Sequence, residues 1–152
     1  MNFTLADDLL LAHTGIDYEP QRSEPLGHML ALLLGLYEAD AAAVVCARGG
    51  LSRIGVIFES PYCHFPHDIV VPGAARAGDF ADLAAALAPR PLLIAGLVDG
   101  VNRRVSVESA QQAYDPARVA YAAAQANDRF VLRQKAKPNV AFASWLVEKL
   151  KR

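Results

Sequence analysis

The sequence predicts an α/β domain: a short parallel sheet of about three strands flanked by helices. Three observations carry this. Short buried-type runs recur at Ala42 to Cys46 (AAVVC), Leu92 to Val98 (LLIAGLV) and Arg129 to Leu132 (RFVL). Segments with helix caps and helical spacing lie between them. Turn signals, Gly49-Gly50 and Asp99-Gly100, close the first two runs. Buried strands that alternate with helices imply a parallel sheet joined by right-handed crossovers. At 152 residues the chain is long enough for one domain with a real core.

Taken in order, Thr4 and Asp7 cap a short helix from Leu5 to His13 that stops at Gly15, and Ile16 to Arg22 form a loop. Ser23-Glu24-Pro25 opens a second helix through Leu26, Met29, Leu30, Leu32, Leu33, Leu34 and Leu36. Apolar residues cover all its faces, so this helix is expected to be buried rather than amphipathic. The first strand follows at Ala42 to Cys46. Residues 60–79, with Pro61, Pro66, Pro72, Gly73 and Gly78, form a long surface loop. Asp79 caps the helix FADLAAAL, which Pro89-Arg90-Pro91 breaks before the second strand. Ser106 caps a helix to about Tyr114, and Asp115-Pro116 starts another. The third strand is RFVL. Pro138 starts the last helix, whose Phe142, Trp145, Leu146 and Leu150 form one apolar stripe for the sheet, while Glu148, Lys149, Lys151 and Arg152 face solvent.

Composition excludes several classes of function. Apolar residues make up 53% of the chain, which rules out disorder. The net charge of −1 offers no steering toward nucleic acid or an anionic membrane. Apolar runs such as Met29 to Leu34 fall far short of the ~20 residues of a membrane span. The first residues carry no basic region of the secretory type, so a cytoplasmic protein is expected. Cys46 and Cys63 are too few for a disulfide framework and are expected as free thiols. No cofactor is implied.

Ligands bind beyond the C-terminal ends of parallel strands, and Asp99 lies at one of those ends. Arg103-Arg104 follows it closely. Such a pair holds an anionic ligand such as a sugar acid, or else neutralises Asp99. Of the six serines, Ser52 alone has glycine two residues before it, in Gly50-Leu51-Ser52-Arg53-Ile54. Ile54 replaces the second glycine of a nucleophile elbow, so the ordinary role for Ser52 is a loop hydroxyl or cap. Cys63-His64-Phe65-Pro66-His67-Asp68 is the densest cluster of polar ligands. It suggests either a soft metal on Cys63, His64 and His67 or a base on His64 or His67. Pro66 argues against a helical histidine pair, and no second cluster completes a tetrahedral set. His28, on a helix with apolar faces, is expected to be a satisfied buried residue.

The segment DFADLAAALAPRPLLIAGLVDG (79–100) resembles the helix, strand and acid turn of α/β-hydrolases of the acetyl xylan esterase and dienelactone-hydrolase-like branch. AAAVVCARGGL, YCHFPHDIVVPGAARAGD and RFVL with the AFASWL helix fit the same branch, so the resemblance covers roughly residues 23–150 of a single domain, 1–152. It implies a partial α/β-hydrolase fold and, if active, a carboxylic ester hydrolase of the acetyl esterase type. The acid position falls on Asp99. The histidine position falls in RQKAKPN (133–139), which contains none. The nucleophile position of G-x-S-x-G falls on Pro25 in Ser23-Glu24-Pro25-Leu26-Gly27. The resemblance therefore implies a degenerate, catalytically inactive esterase-like domain. One alternative is the C-terminal fragment of an active esterase completed by another segment, with the base from His64 or His67. Another is a metal or anion-binding module. For the domain as a whole, a small acetylated or sugar-like ligand is expected. A sheet this small leaves an open edge, so a homodimer, cover by residues 1–22, or aggregation is expected.

Overall fold

The computed structural model describes residues 25–47, 50–58, 69–101, 103–134 and 139–151. The expected helix at 5–13, Ser23, and Cys63, His64 and His67 lie outside the described residues. The described elements are α1 (Pro25–Tyr37), β1 (Val44–Cys46), a 3-10 turn (Ile54–Phe58), α2 (Ala74–Ala77), α3 (Phe80–Ala86), β2 (Leu92–Ala95), α4 (Val107–Ala113), α5 (Asp115–Ala123), a second 3-10 turn (Asn127–Arg129), β3 (Phe130–Arg133) and α6 (Asn139–Leu150).

The three strands form one parallel sheet in the order β1-β2-β3. Register places Val44 and Cys46 beside Leu92 and Ile94, which lie beside Phe130 and Leu132. Strand side chains alternate between faces, and the core divides accordingly. Val44, Cys46, Leu92 and Ile94 join Leu32, Ala84, Tyr114 and Tyr121 from the helices that precede β3. Leu93 and Ala95, with Val45 and Val131, pack instead on Phe142 and Trp145 of α6. Helices therefore cover both faces, as continuous apolar strands require.

The caps are local and legible. Asp79 and Asp82 form a reciprocal capping box on α3, with Asp82 Oδ2 accepting from Asp79 N at 2.7 Å. Asp79 Oδ1 also accepts from Ile54 N at 2.8 Å, which ties the first 3-10 turn to α3. Ser106 Oγ accepts from Ser109 N at 3.1 Å and starts α4. Arg90 donates to the carbonyls of Gly35 and Glu38 at the end of α1, where helix carbonyls lack partners.

Several expectations are corrected. The helix expected after Ser23-Glu24-Pro25, α1, is not buried all round: it buries Pro25, His28, Leu32 and Gly35, whereas Leu30, Leu34 and Tyr37 are exposed. It packs beside β1, an edge strand among the described residues. The run LLIAGLV is a strand only to Ala95. Gly96 takes φ 71°, a left-handed conformation that breaks the strand, and Leu97-Val98 continue as bridge partners. The long loop contains the one-turn helix α2 behind Gly73, at φ 83°. Asp115 and Pro116 are the first two residues of α5, with Tyr114 as the capping position. In α6, Leu150 is exposed, and Lys149 is folded inward, its Nζ 3.3 Å from Asp128 Oδ2. The long aliphatic stem of lysine permits this, since it covers apolar surface while the ammonium meets a carboxylate.

Candidate functional site

Beyond the C-terminal ends of β1 and β2 the chain builds a second, smaller layer of pairing. Leu51 bridges Val98 in parallel, and Val98 bridges Arg104 in antiparallel. Val98 N donates to Gly50 O at 2.9 Å, Ser52 N to Val98 O at 3.1 Å, and Val105 N to Leu97 O at 3.0 Å. These bonds bring the loop after β1, the acid turn and the start of α4 around one cleft of about 690 Å³. Ser52, Arg53, Asp99 and Arg104 line it, together with Ser106, Ser109 and Gln112 of the α4 region. Gly100 lets the acid turn approach closely, because a Cβ there would strike the backbone carbonyl of Val56.

Two of the sequence-predicted site residues, Ser52 and Asp99, thus share a cleft. Their surroundings differ. Ser52 is buried. Asp99 is occupied by its own turn: Oδ1 accepts from Val101 N at 3.0 Å and Arg103 N at 2.9 Å, and Oδ2 accepts from Arg103 Nε at 2.9 Å. A triad acid instead accepts the Nδ1–H of a histidine and stabilises the imidazolium. Here the arginine holds that oxygen. Arg103 neutralises Asp99, so the expectation that the arginine pair does so is met by one of the two residues. Arg104 does not share in that pair.

His28 stands elsewhere. Its ring is buried beneath the loop after β1, with Nε2 3.1 Å from the Tyr114 hydroxyl and Phe80 edge-on at 5.5 Å. A Cβ at Gly50 would fall on this ring, so the glycine is what lets loop and histidine meet. Burial lowers the His28 pKa from 6.5 to about 4 and keeps the ring neutral. The same burial pushes the Tyr114 hydroxyl well above its usual value, and the Cys46 thiol up to about 12. Cys46 is a free, buried thiol held as SH, close to the expected role and unsuited to nucleophilic attack.

The contributions of Ser106, Ser109 and Gln112 to the cleft were not anticipated. Ser106 was expected only as a cap. The signal was present as spacing: residues 106, 109 and 112 lie three apart and share one helix face. Among the described residues no group of three or more His, Cys, Asp or Glu side chains is placed to hold a metal ion. Nor is any described helix long and apolar enough to cross a membrane. Comparison with protein-family models, with curated proteins and with solved structures returns no match.

Proposed function

We propose that this chain is an α/β-hydrolase-like scaffold of the acetyl xylan esterase type that has lost ester hydrolysis and serves as a binding module. The observation that carries this is the state of Asp99. Its carboxylate is engaged by two backbone N–H groups and by the Arg103 guanidinium, all within its own turn. An acid so held serves to fix a loop. The sequence supports the same conclusion: proline stands at the nucleophile position, and RQKAKPN supplies no histidine. His28 cannot serve as the base where it sits, because it is sequestered against Tyr114.

What remains is a sheet end with a polar cleft, the ordinary place for a ligand in a parallel α/β domain. The test is hydrolysis of p-nitrophenyl acetate by the purified chain beside an Asp99→Ala variant. No release above the buffer rate is expected from either. Turnover that falls with the substitution would overturn the proposal.

The unpaired outer side of β1 favours a second possibility. Among the described residues no strand lies there, and the adjoining outer face of α1 is apolar. A further strand from a second copy or another segment would satisfy those backbone groups. In that case the chain is one part of a larger esterase-like sheet.

A further inference from the structure

We propose that the cleft beyond the sheet binds a small hydroxylated carboxylate of the sugar-acid class, with Arg104 as the group that holds its carboxylate. This deepens, and rests on, the interpretation of that cleft as the binding site. At about 690 Å³ it falls within the range of small-molecule sites, ~300–1,000 Å³. Its chemistry is unlike that of a pocket for an acyl chain or an aromatic ester. Only Val56, Val105 and Ala113 contribute apolar side chains, and the remaining lining is hydroxyl, amide or charged. A ligand rich in hydroxyls matches such walls, because each polar group displaced from water then finds a partner.

The charge balance narrows the class further. Asp99 is compensated by Arg103 at 2.9 Å. Arg53 is already engaged with a partner. The Glu108 carboxylate, on α4, is held by its own N–H and by the Ser106 hydroxyl. Arg104 differs: its guanidinium has no ion pair or hydrogen bond among the described residues, yet it lines the cleft. Its backbone is fixed by the bridge to Val98 and the flanking bond from Val105 N to Leu97 O. One guanidinium without a partner among the described residues, on a backbone fixed by a bridge, suits one carboxylate, which it receives through two parallel N–H donors. A doubly charged phosphate would call for more cations than the cleft leaves free. Ser109 Oγ lies 3.1 Å from Ser106 Oγ, and both hydroxyls line the same wall of the cleft.

The experiment is calorimetric titration of the full chain with D-glucuronate, with D-glucose and acetate as controls, on the native protein and on Arg104→Ala and Arg104→Lys. Glucuronate is expected to bind at least about tenfold more tightly than either control, since glucose lacks the charge and acetate the hydroxyls. Arg104→Ala should weaken it by about 10- to 100-fold, the loss of a charge-assisted pair, and Arg104→Lys by less. Arg104 is exposed, so both variants should keep the native melting temperature. No glucuronate binding at tens of millimolar, equal binding of glucose, or undiminished affinity in Arg104→Ala each overturns the proposal. Failure here is separable from failure of the inactive-scaffold proposal. Asp99-dependent ester turnover would defeat that one and leave glucuronate binding to stand or fall by these titrations.

Discussion

His28 makes the stability of this fold depend on pH in a window that can be calculated. Its pKa is about 4 in the folded chain and 6.5 when exposed on unfolding, because the buried ring cannot be charged cheaply. Above pH 6.5 both states carry a neutral ring and the full stability is present. As pH falls below 6.5 the unfolded chain takes up a proton that the folded chain refuses, so stability is lost down to about pH 4. The whole shift of about 2.5 units corresponds to roughly 3 kcal/mol, at 1.36 kcal/mol per unit. Between pH 7 and pH 5 the same two pKa values give a loss of about 2 kcal/mol. Carboxylates and other histidines also titrate, so the quantity to measure is a difference. Urea unfolding of the native chain and of His28→Gln, at pH 7, 6 and 5, isolates it. Glutamine keeps a hydrogen-bonding group for Tyr114 and cannot take up the proton. The native chain should lose about 2 kcal/mol more than the variant over that range. Parallel pH profiles for the two proteins would refute the assignment of His28 as a neutral core residue.

Two further outcomes follow from packing. Gly100→Ala should destabilise the chain by about 1–3 kcal/mol in urea unfolding, because its Cβ meets the Val56 backbone and no rotamer relieves it. An unchanged unfolding midpoint would contradict the close approach of the acid turn to the first 3-10 turn. The side of β1 that carries no strand among the described residues, with the exposed Leu30, Leu34 and Tyr37, should make the chain associate with rising concentration in sedimentation, and Leu34→Lys should weaken this. A monomer at all concentrations, unaffected by the substitution, would remove the edge as an association surface.

The fold class was legible because its signals are local. AAVVC, LLIAGLV and RFVL are short, apolar and bounded by breakers, and Asp79 and Ser106 announce their helices through cap chemistry that acts within three residues. What the sequence hid depends on contacts between distant segments. The apolar faces of α1 suggested full burial, but Leu30 and Leu34 are exposed. LLIAGLV gave no sign that Gly96 would end the strand, since a single glycine within an apolar run is compatible with either outcome. Lys149 looked solvated, yet Asp128, 21 residues away, draws it inward. At the candidate site, Asp99 was found from its place after a strand. Its meeting with Ser52 rests on the bridge between Leu51 and Val98, which no short motif encodes. The same holds for the arginine pair: adjacent in sequence, Arg103 turns to Asp99 while Arg104 enters the bridge with Val98.

Ser52 and Asp99 share a cleft and, on the proposal above, form no catalytic pair. The most direct measurement is the pre-steady-state release of p-nitrophenolate from p-nitrophenyl acetate at high protein concentration. A working serine hydrolase gives a burst as the acyl-enzyme accumulates. No burst and no turnover above buffer are expected, with Asp99→Ala indistinguishable from the native chain. A burst of about one equivalent that disappears in Ser52→Ala or Asp99→Ala would contradict that proposal.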